Sequence, residues 1–380
     1  MSSVEPELVG CVVRNASAEG CQAYVAAQVA AVRRRGRFPG PRRVLIIGAS
    51  SGFGLAARLQ LAFGGGSATY GIAFERAPSA EQGGSAGWYK QQAFDQLARE
   101  QGVQAESRFA DAFLPATRAQ TLAWIRTHWG QIDLLVYSLA SGVRIREDGQ
   151  RCRAVIKSLH NPLEGWGLDL AAEQLIRQQV EVATAQELAD TEAVMGGDSW
   201  HAWVSALQQA DLLAPGFRTL AFSYEGPAFT HAWYRDGTLG AAKRHLRQTA
   251  DQLRDALVPL QGDARVVMCK ALVTRASLVI PFLPIYLMLL MAVMKEKGLH
   301  EECLQQMARL FADQLYGPGA PRCDALGRWR LDELELRADV QHEVLARRAA
   351  LTAENFRTLG DYDGLRAELL RQHGFAPLSG

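Results

Sequence analysis

The residues best placed to do chemistry are two tyrosines and a lysine late in the chain, Tyr224, Tyr234 and Lys243. A phenol can donate a hydrogen bond or a proton to an oxygen that gains negative charge. A neighbouring ammonium makes that phenol more acidic than its reference value of about 10. Tyr234 and Lys243 are nine residues apart. On one continuous helix that spacing is ~2.5 turns, which puts the two side chains on opposite sides. They reach one cleft only if a helix begins between them. Asp236-Gly237-Thr238 supplies such a start, with Gly237 breaking the chain and Asp236 or Thr238 capping. Tyr234 is then in a loop and Lys243 in the second helical turn. Taken alone the pair is a weak signal, because tyrosines commonly pack and lysines commonly face water.

What strengthens it is the stretch Arg43–Leu55, RVLIIGASSGFGL. Branched apolar residues, Val44 to Ile47, run into a glycine-rich turn and then a helix-forming run, Leu55 to Leu61. Buried strand, tight turn and helix is the plan of a dinucleotide-binding crossover. Gly48 lets the chain leave the strand sharply. Gly52 and Gly54 let backbone approach a pyrophosphate where a Cβ would intrude. Ser50 and Ser51 can bond a phosphate or cap the helix. A second strand, Thr69–Glu75, ends in a carboxylate 27 residues after Gly48. A carboxylate there accepts both ribose hydroxyls of an adenosine and repels a 2′-phosphate, so NADH is expected over NADPH. Arg76 beside it opposes that preference. Asp111-Ala112 follows a third short strand, where an adenine would lie.

These positions are held by an alternation of strands and helices that predicts a parallel sheet with helices on both faces. Helices are expected over Cys21–Arg35, with Cys21, Val25, Val29 and Val32 on one face, and over Trp88–Gln101. Ile132–Ser138 is a buried strand leading into Leu139-Ala140-Ser141, and Thr219–Ser223 and Arg265–Cys269 are two more. Between residues 142 and 200 the rhythm loosens. A turn at Gly149-Gln150, a short strand at Ala154–Ile156, a loop at Asn161–Gly167 and a helix at Ala183–Thr191 suggest an insertion covering the site. The 380 residues are read as one domain, 1–380, with 142–200 as that lid.

Composition excludes several classes. With 41 basic and 40 acidic residues the net charge is +1, with no nucleic-acid footprint. Six scattered cysteines without a C-x-x-C pair and eight histidines without H-x-x-x-H spacing predict no metal site and reduced thiols in a cytoplasm. The first ten residues, MSSVEPELVG, do not read as a secretion signal. Ala276–Met294 is 19 residues long without a formal charge. Pro281 and Pro284 break its first half, leaving about eleven helical residues, roughly half a bilayer. It is read as a buried core helix whose Met and Leu side chains would suit the wall of an acyl-chain pocket.

The blocks GASSGFGLA, FE, DA, VYSLAS, VMGGDSW, SYEGP, YRDGTLGAAK and KALVTRAS occur in this order. Together they resemble the signature of the trans-2-enoyl-CoA reductase family, also described as the fifth type of enoyl-ACP reductase. This family lies within the short-chain dehydrogenase/reductases, which pair a Tyr with a Lys. The likeness runs from about Gly10 to Phe375. It implies an α/β, Rossmann-type doubly wound parallel sheet, a monomer, extra elements over the substrate portal, and NADH as cofactor. By motif, Gly48, Ala49, Ser50, Ser51, Gly52 and Phe53 would hold the pyrophosphate and Phe74 and Glu75 the adenosine ribose. Asp111, Ala112, Leu139 and Ala140 would line the adenine and nicotinamide side. Lys243 with Leu272, Val273 and Thr274 would hold the nicotinamide and its ribose. Tyr234 would be the proton donor, and Tyr224 would contact the thioester. Phe53 stands where the family usually has Tyr, Gly142 where it has Pro, Cys269 where it has Asn, and His231-Ala232-Trp233 replaces a Trp-Pro-aliphatic run.

The expected reaction is reduction of the trans-2 double bond of an enoyl thioester, carried on coenzyme A or acyl carrier protein, in fatty-acid-type metabolism. Tyr234 would meet the negative charge that develops on the thioester oxygen, with Tyr224 as second donor or acyl-positioning group. A ketoreductase of the same superfamily and a non-catalytic dinucleotide sensor are the competing readings.

Overall fold

The computed structural model describes residues 5–146 and 148–375. Its centre is an eight-stranded sheet built from β1 (Arg43–Ile47), β2 (Ala68–Ala73), β3 (Ala105–Phe109), β4 (Ile132–Tyr137), β5 (Leu213–Ser223), β6 (Asp263–Met268), β7 (Arg322–Cys323) and β8 (Trp329–Arg330). The order across the sheet is β7-β8-β6-β5-β4-β1-β2-β3. Every pairing is parallel except β7 with β8. This is the doubly wound order of dinucleotide-binding folds, and it reverses direction between β1 and β4.

Strand β1 shows why the runs are continuously apolar. Val44 and Ile46 join one buried cluster, Leu45 and Ile47 another on the opposite face. A strand covered on both faces must be hydrophobic at every position. Helix α1 (Ala18–Arg35) buries Cys21, Val25, Val29 and Val32, the expected face, and is capped by Ser17. Helix α2 (Gly52–Leu59) leaves the glycine turn directly.

A third apolar cluster gathers around α4 (Leu283–Glu296) and takes in Leu239 from the start of α3 (Thr238–Leu257). Nearly all of α4 is buried, including Leu287, Met288, Leu289 and Met294. Among the described residues no helix is long and apolar enough to cross a membrane.

The 142–200 segment differs in detail from its expectation. Its short strand is Arg151–Arg153, paired with Val143–Ile145, and not Ala154–Ile156. The expected loop at Asn161–Gly167 is strand from Leu163 onward: Leu163–Asp169 pairs with Gln174–Val180 in a second hairpin. Gly165 and Gly167 disguise it. Each glycine marks a close approach, since a Cβ at Gly165 would lie 3.0 Å from the Phe282 ring and one at Gly167 2.2 Å from Gln178.

Candidate active site

The sheet's reversal point builds the first half of the site. Gly48 leaves β1 with φ +86°, and a Cβ there would strike the Ser138 carbonyl at 2.3 Å. The Ser138 N–H donates to the Ile47 carbonyl at 2.8 Å, so the ends of β1 and β4 are bound together. The Gly48 and Ala49 N–H groups donate to the Ile72 carbonyl. The backbone donors at the start of α2, Gly52 among them, face no acceptor in the turn itself and are placed for an anion. Ser51 occupies the cap position without a side-chain cap bond. Ser50 instead donates to Glu75 at 2.6 Å.

Glu75 lies two residues beyond β2, with its other oxygen accepting from Ser85 at 2.6 Å. Gly87 makes room for it: a Cβ there would meet Glu75 Oε1 at 2.0 Å. Phe74 beside it is 79% exposed, a large apolar face without cover. Asp111 holds the next turn through the Phe113 N–H, and Ala112 is buried, its carbonyl accepting from Trp203. Leu139 is half-buried and Ala140 exposed at the mouth beyond β4. Phe53 packs its ring on Phe222, centroids 5.7 Å apart.

The second half lies beyond β5 and β6. Helix α3 begins at Thr238, between Tyr234 and Lys243. Neither Asp236 nor Thr238 caps it: Gly237 is the cap residue, Asp236 pairs with Arg235, and the Thr238 hydroxyl donates to Val155 at 2.6 Å. Tyr234 sits in a turn, its N–H bonded to the Thr230 carbonyl, while Lys243 lies in the second helical turn. Both side chains are within electrostatic reach of the buried Cys269 thiol at the end of β6. Among the described residues neither the Tyr234 hydroxyl nor the Lys243 ammonium has a hydrogen-bond partner. Withdrawal from water lowers Lys243 to about 8, against a smaller upward pull from Cys269. Burial, then Glu335 and Cys269, push the Tyr234 phenol upward. The Leu272–Thr274 loop follows β6, tied by Ser277 to the Leu272 carbonyl and by Gln372 to the Val273 carbonyl. Thr274 approaches the glycine turn: a Cβ on Gly52 would lie 3.5 Å from its methyl.

Tyr224 stands edge-on to Tyr234, ring centroids 4.9 Å apart at 89°. Its hydroxyl donates to Glu335 at 2.8 Å, and Tyr286 of α4 donates to the same oxygen at 2.7 Å. Sequence reasoning missed both Glu335 and Tyr286. Glu335 sits in the acidic run DELEL, which reads as a solvated face. Tyr286 carried a usable signal, since a phenol in an apolar helix needs a buried partner. Phe282, at the entry to α4, has φ +62° and packs on Trp233 at 5.4 Å.

One His/Glu grouping, His300, Glu302 and Glu368, has ligand-like spacing. Arg371 pairs with Glu302, and Lys270, Lys295 and Arg371 all act on Glu368, so cations of the chain itself already face this group.

A family model described as the trans-2-enoyl-CoA reductase catalytic region matches residues 82–316, and one for the NAD(P)H binding domain of trans-2-enoyl-CoA reductase matches residues 3–80. The chain is 44% identical over 377 residues to enoyl-[acyl-carrier-protein] reductase [NADH] 2 of Photobacterium profundum, covering 98% of this chain and 94% of that protein. The Clostridium acetobutulicum trans-2-enoyl-CoA reductase in complex with NADH superposes with a TM-score of 0.97 at 37% identity, covering 99% of this chain and 95% of that one. The Treponema denticola trans-2-enoyl-CoA reductase in complex with NAD gives 0.95 at 39%, covering 99% and 96%. A third model, described as an enoyl reductase FAD binding domain, matches residues 323–377. The residues there do not fit a flavin. Val340, Val344, Leu365 and Leu369 are buried in the cluster around α4, so the apolar side of this segment is closed by packing. Two family models spanning most of its length and relatives above 40% identity agree with the fold and with the order of its motifs: the chain belongs to the trans-2-enoyl-CoA reductase family.

Proposed function

We propose that this protein reduces the trans-2 double bond of enoyl thioesters, on coenzyme A or acyl carrier protein, to the saturated acyl thioester in fatty-acid synthesis. NADH, when bound, supplies the hydride for the β-carbon. The start of α2 would hold the pyrophosphate with Gly52 and Phe53, the turn Gly48–Ser51 shaping the approach. Glu75 would accept the adenosine ribose hydroxyls, with Phe74 against the base and Asp111-Ala112 at the side of its pocket. Leu139, Ala140, Leu272, Val273 and Thr274 would enclose the nicotinamide, and the Lys243 ammonium would hold its ribose.

Tyr234 would donate to the thioester oxygen, where negative charge exists only in and after the transition state, so a donor placed in advance is most effective there. Among the described residues its hydroxyl makes no hydrogen bond, which leaves the proton available. Tyr224 would orient the acyl group, and α4 would line its apolar path. Residues 142–200 would act as the lid, the second hairpin packing on α4. We read the enzyme as a cytoplasmic monomer, to which its six free cysteines are suited.

The observation that carries this reading is the placement of Tyr234 and Lys243 on either side of a helix start, both within electrostatic reach of Cys269 and neither polar group hydrogen-bonded among the described residues. The test follows NADH absorbance with short and long enoyl-CoAs and with an enoyl carrier protein, then repeats it with NADPH. Consumption of NADH with an enoyl thioester is expected. Turnover of secondary alcohols alone would replace this reading with a ketoreductase, and NADH binding without any turnover would replace it with a sensor.

A further inference from the structure

Glu335 is fully withdrawn from water, yet it accepts three hydrogen bonds from three separate elements. Oε1 takes the hydroxyls of Tyr224 and Tyr286, and Oε2 takes the Ala271 N–H at 2.6 Å. Gln341 completes the cluster, donating to the Tyr286 oxygen at 3.0 Å and to the Glu335 carbonyl at 2.6 Å. The Lys270 ammonium, also buried, bonds to the Ala271 carbonyl at 3.2 Å and not to the carboxylate. Replacing a buried ionic group together with its polar partners by apolar side chains is commonly neutral or stabilising, so stability alone gives weak reason for a carboxylate here. Its bonds end on the site. Tyr224 packs edge-on to Tyr234, and Ala271 opens the Leu272–Thr274 loop.

We propose that Glu335 is a positioning residue for the reduction: it fixes the Tyr224 ring against Tyr234 and fixes the loop at Ala271, so that the acyl side and the cofactor side are set by one carboxylate. The inference rests on the function proposed above. A phenol has one proton, and in this arrangement the Tyr224 proton is committed to Glu335. Tyr224 therefore holds the donor in place, and Tyr234 donates. The edge-to-face contact restrains the Tyr234 ring, and a misplacement of about 1 Å at a reacting group can cost ~100-fold in rate.

Glu335→Gln keeps the shape but not the pattern. With its oxygen turned to the Ala271 N–H, the amide nitrogen faces both phenols and donates where the carboxylate accepted. The experiment compares wild type, Glu335→Gln, Tyr224→Phe, Tyr286→Phe and the Glu335→Gln/Tyr224→Phe double variant. For each it measures kcat and KM with crotonyl-CoA, NADH affinity by nucleotide fluorescence, and Tm. We expect Glu335→Gln to lower kcat by ~10–100-fold, with the crotonyl-CoA KM and NADH affinity within about threefold. The double variant should be no slower than Glu335→Gln, because one residue acts through the other. Tyr224→Phe should lose at least about fivefold more kcat than Tyr286→Phe at a similar change in Tm, which a purely structural cluster would not produce. Multiplying losses in the double variant, a kcat within twofold of wild type in Glu335→Gln, or equal kcat losses in the two tyrosine variants would overturn the proposal. Should Glu335→Gln not fold, the tyrosine comparison decides alone. A wild type without enoyl reduction would instead sink the functional reading itself.

Discussion

Arg58 and Glu335 are both fully buried titratable side chains, one in the nucleotide half and one in the C-terminal half, and their hydrogen bonds end in different places. The Arg58 guanidinium on α2 lies 4.0 Å over the Phe94 ring and donates to Ser107 and to the Glu106 carbonyl at 2.7 Å each. Gln91 and Thr69 take further bonds, and Asp95 lies 3.8 Å away. Burial lowers it to about 10, so it remains charged at neutral pH. Gly71 in β2 is part of the same arrangement, since a Cβ there would meet Arg58 Nη1 at 2.6 Å. All these partners belong to the scaffold, binding α2 to β2 and β3. Glu335 spreads its bonds over Tyr224, Tyr286 and Ala271, which border the proposed site. Burial by itself therefore does not separate a scaffold group from one proposed to position the site; the far end of each hydrogen bond is what differs.

The largest effect that tests this contrast is on stability. Arg58→Met should lower the unfolding free energy by ~3–5 kcal/mol, because it strands buried acceptors. Urea melts would measure that, while kcat per folded molecule stays within a few-fold; a collapse in kcat without a stability loss would erase the distinction. Tyr234→Phe should do the opposite. It should cost ~100–1000-fold in kcat on crotonyl-CoA while NADH still binds and Tm barely moves. Near-normal turnover would remove Tyr234 from its role.

The next effect is on NADH affinity. Lys243, lowered to about 8, is an ammonium below that pH and loses its charge above it. Affinity should be full at pH 7 and fall as pH rises through about 8, approaching the ~tenfold loss expected for Lys243→Met, whose profile should be flat there. A wild-type curve without that inflection would count against the ribose role. The smallest effect concerns Glu75. Glu75→Ala should raise the NADPH-to-NADH preference by roughly tenfold, read as a ratio of kcat/KM values. An unchanged ratio would assign the discrimination to Arg76 or elsewhere.

What could be read from the sequence was what is written locally. The glycine turn, the apolar strand β1, the buried stripe of α1 and the helix start ahead of Lys243 each depend on residues within a few positions of one another. Strand ends were less legible: β2 stops at Ala73, leaving Glu75 outside it, and β5 begins at Leu213, across a bulge. The Glu335 cluster was invisible because its partners are 111 and 49 residues away, and no pattern in DELEL distinguishes a buried acid from a solvated one. Arg58 was hidden likewise, as an ordinary member of a helix-forming run. The glycines of the second hairpin looked like loop residues because the surfaces they admit, Phe282 and Gln178, come from elsewhere in the chain or across the hairpin.

Helix α3 is pinned at its first residue by the 155–157 segment: the Thr238 N–H donates to the Lys157 carbonyl at 2.9 Å and its hydroxyl to Val155. Tyr234 lies upstream of that pin and Lys243 downstream, so no helical phase links them. One residue inserted on a shared helix would swing the second group round the axis by ~100°. Here the lysine's azimuth follows from where the helix starts, at the Thr238 pin, and not from a count of helical residues back to Tyr234. The interval between the two groups is thus set by a turn and a helix start, and a search that demands a fixed helical repeat would pass over enzymes built this way.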